Sequence, residues 1–273
     1  MDGGDERNGS VDAAERTSVQ VTWIGHATVA IDVGDVRIIT DPALTRRLAH
    51  LRRRVPEVDL GSVDLVLISH LHMDHLHGRS LRRVSSGARL VVPRGARPLV
   101  SGCGFATIDD IDRGDVIEHG GIRIEAVHAE HGQRRGPHSR LAAPPVGYVI
   151  EAGGARIYFP GDTDLHPQMQ QLGRIDLALL PIWGWGPTLG ELHLDPTSAA
   201  TAAEWIGSAA VVPIHWGTYS PVRVGRGSPT WLDRPIAAFR ERLDLIGRAG
   251  SLIGLDPGGS VIVDATGACS PHR

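Results

Sequence analysis

Ser69-His70-Leu71-His72-Met73-Asp74-His75 follows the apolar run Asp64-Leu65-Val66-Leu67-Ile68, and its reading decides the fold. Three imidazoles and one carboxylate fall within six residues, His70 to His75. These donors suit zinc, and also iron or manganese. Along an extended chain, side chains at i and i+2 share a face, so His70 and His72 address one ion together. Asp74 and His75 are adjacent and leave the chain in different directions from that pair, toward a second ion beside the first. Purification tags and storage tracts also concentrate histidine, but tags are terminal and uniform. This cluster is internal, mixed in composition, and placed after a buried-strand pattern.

The chain has 273 residues, 41% of them hydrophobic, enough for one large domain or two small ones. A formal charge of -3 offers no global attraction to nucleic acid or to an anionic membrane. One basic loop stands out: Arg46, Arg47, Arg52, Arg53 and Arg54. It reads either as a solvated loop or as a clamp for a substrate phosphate or carboxylate, which guanidinium groups bind in a bidentate way. The two cysteines, Cys103 and Cys269, make no disulfide framework, so a reducing cytoplasm is the expected location. No apolar stretch is long enough to insert in a bilayer. Residues 1–18 are polar, without a secretory apolar region, and read as a disordered leader.

Short apolar strands punctuated by Gly, Asp and Pro fill the first half. They are expected over 19–24, 28–33, 36–40, 65–68 and 89–92, with a helix from near His75 to Val84. Hairpin signals at His119-Gly120-Gly121 and Gly153-Gly154 separate strands over 115–118, 122–127, 147–151 and 155–159. In the second half, Asp176 to Pro181 resembles Asp64 to Ile68. A helix is expected over 196–206, with Asp195 as cap and Pro196 in its first turn. A strand over 210–214, a helix over 236–245 and a closing strand over 260–263 follow. This alternation predicts an α/β protein with two mixed sheets face to face and helices outside, one domain over 19–265 with a short tail over 266–273.

More donors are needed than one loop provides, and three candidates follow strands, where loops carry function on a rigid scaffold. Asp162 comes after Gly161, which lets the chain turn sharply, and its two oxygens can bridge a cation pair about 3.5–4 Å apart. Read alone, it is an ordinary turn aspartate. His215 follows Val211 to Ile214; its other reading is packing against Trp216. His128 and His131 both follow the strand over 122–127. The pattern alone leaves both open, with His131 preferred because it lies beyond the strand.

Taken together, these residues resemble the metallo-β-lactamase superfamily, through His-x-His-x-Asp-His, a later His, a Gly-Asp and a final His. The resemblance runs from about Val19 to Thr218. Thr22 to Thr28, Thr40-Asp41-Pro42, Gly161-Asp162-Thr163 and His215 to Thr218 resemble the branch containing N-acyl-phosphatidylethanolamine-hydrolysing phospholipase D and ascorbate-6-phosphate lactonase-like proteins. His128-Ala129-Glu130-His131 aligns with a segment whose last residue is the ligand there. The resemblance implies a four-layer αβ/βα sandwich with metals at the edge between the sheets. It implies His70, His72 and His131 on one ion, Asp74, His75 and His215 on the other, and Asp162 shared. His193, in His193-Leu194-Asp195-Pro196, is implied near the substrate; its plain reading is a loop histidine. Gly132 stands where many relatives carry an aromatic residue. No basic amphipathic helix is evident, so a lipid substrate is not carried over.

The implied reaction is hydrolysis of a small phosphodiester or lactone by water activated between two divalent ions, zinc first, with manganese or iron as alternatives. Asp74 is expected to orient the nucleophile or move its proton, and His193 to donate to the developing anion. Asp41 is expected to orient a ligand imidazole, with His26 close by. Trp183 to Leu189 are expected to form a rim around the substrate. Two other readings stand beside it: a nuclease of the same superfamily, for which a nucleic-acid face is lacking, and a metal-binding or sensor module without catalysis. Relatives often assemble, which leaves a homo-oligomer open.

Overall fold

The computed structural model describes residues 18–223 and 230–272, so the leader proper lies outside the described residues. Seventeen strands are assigned among the described residues. In chain order the first nine are β1 (Val19–Gly25), β2 (Thr28–Val33), β3 (Val36–Thr40), β4 (Arg47–Leu48), β5 (Leu51–Arg53), β6 (Leu65–Leu67), β7 (Arg89–Pro93), β8 (Thr107–Ile111) and β9 (Val116–His119). The rest are β10 (Ile122–His128), β11 (Val146–Ala152), β12 (Ala155–Phe159), β13 (Leu177–Pro181), β14 (Ala210–Ile214), β15 (Tyr219–Pro221), β16 (Ser260–Val263) and β17 (Cys269–His272). The helices are α1 (Gly78–Val84), α2 (Arg97–Val100), α3 (Pro196–Ile206) and α4 (Arg234–Leu245).

One sheet runs β17-β16-β1-β2-β3-β6-β7-β8, the other β14-β13-β12-β11-β10-β9. Period-2 patterning sends one face of each sheet inward. Val21, Trp23, Ile31 and Leu67 from the first sheet meet Ile124, Tyr148, Ile157 and Val212 from the second in one shared core. The outer face of the first sheet packs Val66, Ile68 and Leu90 against Leu81, Val84 and Val100 of α1 and α2. The outer face of the second packs Val149 and Tyr158 with Ala199 and Ala203 of α3 and Phe239 and Leu243 of α4. The result is the expected four-layer αβ/βα sandwich.

β3, β6 and β7 are parallel to one another, as are β12, β13 and β14. Parallel neighbours end at one edge, so the loops after β3, β6, β12, β13 and β14 emerge together. Asp41, the 69–75 loop, Asp162, Trp183 and His215 lie on those loops. The topology, not local sequence, thus gathers distant residues.

Three features differ from expectation. Helix α1 begins at Gly78, not near His75, because the amides of His75 and Leu76 both donate to the His72 carbonyl (3.1 and 2.8 Å) in a tight turn. Residues 269–272, expected as tail, pair with β16 as an edge strand. The arginine segment folds into a small sheet, β15-β5-β4. Both cysteines are free. No helix among the described residues is long and apolar enough to cross a membrane.

Helix α3 starts as its sequence predicts. The Asp195 carboxylate accepts from the amides of Thr197 and Ser198, both at 2.8 Å, and the Ser198 hydroxyl accepts from the Asp195 amide at 2.9 Å. Asp195→Ala should cost about 1 kcal/mol, lowering Tm by roughly 2–4 °C, with Asp195→Asn close to the unmodified protein in a thermal melt.

Candidate metal centre

Asp41, at the end of β3, is fully buried. One carboxylate oxygen accepts from the Ser69 amide (2.7 Å), the other from the Ser69 hydroxyl (2.5 Å) and from Nδ1 of His75 (2.7 Å). Having given its proton to Asp41, the Ser69 hydroxyl accepts from Nδ1 of His70 at 2.9 Å. Backbone carbonyls do the same for two further rings. Trp183 accepts from Nδ1 of His215, and Leu192 from Nδ1 of His131, each at 2.7 Å. A proton committed at Nδ1 leaves the lone pair of a neutral ring at Nε2. Four imidazoles are therefore assigned one tautomer by their surroundings.

Those Nε2 atoms converge. His75 and His215 bring theirs to 3.1 Å of each other, and each lies 3.2 Å from an Asp162 oxygen. Nε2 of His131 lies 3.0 Å from Nδ1 of His72 and 4.0 Å from Asp162. Nε2 of His70 is buried and has no hydrogen-bond partner among the described residues. Lone pairs so close repel unless a proton or a cation lies between them. Two adjoining donor groups result, His70, His72, His131 and Asp162, and His26, Asp74, His75 and His215, and a third, Asp41, His70 and His75, overlaps both; in each the donor atoms lie within 4.8 Å of one another. The donor set therefore fits a metal, on the ligand types and on an orphaned buried nitrogen.

Burial drives most of these rings toward neutrality. It lowers His215 from the ordinary 6.5 to about 3 and His131 to about 4, and it pushes His70 well below and His72 below the same value. His75 goes the other way: burial opposes its charge, but Asp162, Asp74 and Asp41 outweigh it and raise it well above. Burial also works against charge on Asp162 and Asp74. His215 and His75 hold Asp162, and His75 and His26 hold Asp74, well below the usual carboxylate range.

The backbone is strained at the same place. Among the described residues, the non-glycine positions with positive φ are His26 (55°), Asp41 (33°), Ala49 (51°), Leu192 (59°) and His215 (63°). All but Ala49 belong to the centre, which is where such strain concentrates. The amide of His215 donates to the His26 carbonyl at 2.9 Å, and the amide of His26 to the Thr218 hydroxyl at 2.7 Å.

Every candidate drawn from the sequence can now be located. His70, His72, Asp74, His75, His131, Asp162 and His215 come together. His193 joins them, its Nε2 3.5 Å from Asp162 and its ring 4.6 Å from that of His131. Nε2 of His26 lies 3.0 Å from Asp74. His128 does not join: its Nε2 is 3.2 Å from Glu130 and its ring meets His166. The arginine clamp is not found at the cleft. Arg53 is buried and donates to the carbonyls of Ile24 (2.7 Å), Ala43 (2.9 Å) and Pro56 (3.4 Å), Arg46 pairs with Glu57, and the segment lines a hollow of its own. The Trp183 and Leu192 carbonyls were invisible to sequence reading.

A cleft of about 570 Å³ opens above the centre. Asp74, Asp162, His193 and His215 form its floor; Met73, Pro137, Trp185 and Leu189 form walls that are mainly apolar. Trp185 is braced by the cluster of Ala43, Leu48, Leu51 and Tyr219. Arg135, also at the cleft, donates to the carbonyls of Leu71 (2.9 Å) and Leu76 (3.2 Å).

A sandwich with this donor set at one edge defines a metal-binding protein of the αβ/βα class. Residues 36–216 match the family model described as a beta-lactamase superfamily domain. A UPF0173 metal-dependent hydrolase of Methanopyrus kandleri is 30% identical over 247 residues, 89% of this chain and 99% of that protein. A counterpart in Thermococcus onnurineus is 37% identical over 209 residues, 75% and 87% of the two chains. The N-acyl-phosphatidylethanolamine-hydrolyzing phospholipase D 1 of Caenorhabditis elegans is 28% identical over 226 residues, 72% of this chain and 64% of that one. In fold, the chain is similar to Igni18, a metallo hydrolase from Ignicoccus hospitalis, with a TM-score of 0.68 at 24% identity over 90% and 98% of the two chains. The chain belongs to the metallo-β-lactamase superfamily of metal-dependent hydrolases.

In chelator-treated protein, the unfolded chain takes up protons below 6.5 that His70, His131 and His215 refuse when folded. Stability contributed by these groups is complete above that value and is lost as pH falls toward about 4. The raised His75 acts in the opposite sense, but its contribution is complete below 6.5 and fades only at higher pH. Urea midpoints of the chelated protein should therefore drop between these limits; a flat profile would contradict the neutral-ring assignment. Gly161 has φ +64°, and a Cβ there would collide with the Ser69 side chain. Gly161→Ala should displace Asp162, costing more than about 1 kcal/mol and reducing the metal content measured by elemental analysis.

Proposed function

We propose that this chain hydrolyses a small ester at a centre of two divalent ions, a lactone before a phosphodiester. The convergence of imidazole lone pairs and Asp162 beneath an apolar cleft is the observation that carries this reading. His70, His72 and His131 would hold one ion, Asp74, His75 and His215 the other, with Asp162 between them. Zinc suits these donors, as do manganese and iron. Bound there, divalent ions polarise a substrate oxygen and lower the pKa of water toward neutrality.

The chain's own groups do the rest. Asp74 reaches the cleft floor, and its Oδ2 lies 3.0 Å from Nε2 of His26. That bond fixes the carboxylate as an acceptor that orients the attacking water and receives its proton. His193 donates Nδ1–H to the Glu191 carbonyl at 2.8 Å, leaving Nε2 toward Asp162 and the cleft. Burial works against charge on this ring, but its hydrogen bond to the Asp162 carboxylate and that group's negative charge outweigh it and raise the pKa. A protonated His193 donates to the oxyanion as it develops.

Substrate preference rests on the walls. Met73, Pro137, Trp185 and Leu189 offer apolar surface, and Arg135 already donates to two backbone carbonyls. An anionic phosphodiester finds no unspent guanidinium from the 46–54 segment among the cleft's lining residues. This supports the uncharged lactone.

His70→Ala and Asp162→Ala should each lose bound metal and turnover together. His193→Gln should retain metal while kcat falls by roughly 10²-fold; an unchanged kcat would remove His193 from the mechanism. On protein reconstituted with zinc or manganese, aryl lactones should turn over faster than bis-aryl phosphates. The reverse order would overturn the lactone assignment while leaving the centre intact.

A further inference from the structure

A second pocket, sharing no lining residue with the cleft, opens on the outer face of the second sheet. It encloses about 390 Å³ between β10, β11, β12 and the 3-10 segment Pro167–Gln171. That volume lies at the lower end of the range of small-molecule sites, roughly 300–1,000 Å³. Val127, Val149 and Leu172 contribute apolar surface.

Most polar groups around this pocket have partners. Arg156 pairs with Glu151, Glu125 with Arg123, and His128 with Glu130. Two lining groups stand apart. His166 is 4% exposed, and its Nε2 is buried with no protein hydrogen-bond partner among the described residues. Its Nδ1 lies 3.2 Å from the Gln168 side-chain oxygen, which assigns the proton to Nδ1 and a lone pair to Nε2. Burial lowers the pKa of this ring and keeps that lone pair free of a proton. Arg113 lines the same pocket as an exposed residue, with no ion pair or hydrogen bond from its side chain to the described residues. An orphaned buried acceptor is costly, about 1–3 kcal/mol, unless something donates to it.

We propose that this pocket binds a small hydroxylated oxyanion, a polyol carrying a phosphate or a carboxylate. A ligand hydroxyl donates to Nε2 of His166, and the oxyanion meets the Arg113 guanidinium at the rim. A metal ion is the poorer occupant. His128, Glu130 and His166 do not bring three ligand atoms within 4.8 Å of one another, and Arg113 would repel a cation.

The position gives such a ligand a lever on the centre. His128 and His166 meet edge to face, ring centroids 4.7 Å apart, on the two segments that also carry His131 and Asp162. The Glu130 amide donates to the Thr163 hydroxyl (2.9 Å), the Asp164 amide to the Glu130 carbonyl (2.8 Å), and the Leu194 amide to the Thr163 carbonyl (2.8 Å). An occupied pocket braces this joint from behind.

The test uses metal-loaded full-length protein with isotope-labelled histidine, read by the ring signals of His128 and His166. Glycerol 3-phosphate and glycerate are titrated separately, beside inorganic phosphate and glycerol. Saturable shifts with one of the two bifunctional compounds, at an affinity at least about tenfold above phosphate or glycerol alone, are expected. The stronger of the two identifies the oxyanion. His166→Phe, read at His128, and Arg113→Ala should each weaken binding by about tenfold or more, with metal content unchanged. The proposal falls if no compound moves the His166 signals at 10 mM or so, a concentration well above typical small-ligand affinities. It also falls if added zinc moves them instead, or if both variants bind as the unmodified protein does.

Discussion

One buried carboxylate governs the floor of the centre. Asp41 accepts three hydrogen bonds with its side chain and reaches no solvent. Taking a carboxylate out of water costs several kcal/mol, and hydrogen bonds to a charged acceptor offset that only where the donors are already in place. They are in place because β3 and β6 run parallel and in register, Thr40 beside Leu67, with the Asp41 amide donating to the Leu67 carbonyl at 2.9 Å. Asp41 then orients His75 directly and His70 through Ser69. With either ring in its other tautomer, a proton would sit where the remaining imidazoles present lone pairs. The chemistry of the 69–75 loop thus depends on the pairing of two strands behind it.

The same economy explains why strain gathers at this edge. A non-glycine residue in the left-handed region costs of order 1–3 kcal/mol, and His26, Asp41, Leu192 and His215 all occupy it. Leu192 must turn its carbonyl onto His131, and His215 must leave β14 so that Nδ1 meets the Trp183 carbonyl. These conformations persist because the sandwich core is continuous on both sides and over-determines where the strands end.

This division also sets what sequence could disclose. The 69–75 loop, the strand after which each donor falls, and the capped helix α3 were legible, because they depend on residue type, period and spacing. Preference for His131 over His128 was weakly legible, and the structure supplies the reason: β10 runs through His128, whose ring turns to His166, so only the residues beyond the strand reach the cluster. Backbone carbonyls that orient rings were not legible, since any residue has one. Nor was the fate of the arginine segment. Five basic residues suggested an anion clamp, yet Arg53 serves three carbonyls in the interior and stacks over Tyr219, 5.8 Å from ring centroid to guanidinium. Charge in a loop says nothing of whether the backbone nearby needs donors. The edge strand β17 escaped because a stretch with Pro271 and few apolar residues carries no strand period, and its pairing with β16 is non-local.

Charge balance bears on how the centre works. Asp41, Asp74 and Asp162 place three carboxylates within reach of His75, and four surrounding rings, His70, His72, His131 and His215, are pushed toward neutrality by burial. One proton on His75 answers only part of that negative charge. In the proposed reaction, a single divalent cation would leave a deficit of one and a pair would overbalance it by one, the sign needed opposite a substrate oxygen that gains electron density. Arg135 brings one positive charge to the cleft wall, with Nη1 turned inward onto the carbonyls of Leu71 and Leu76. In the proposed reaction, the apolar side chains of Met73, Pro137, Trp185 and Leu189 would select by shape and exclude water. The low dielectric they create strengthens the field of the few charges beneath them. In the proposed reaction, mainly apolar walls would leave the differential between ground and transition state to the floor.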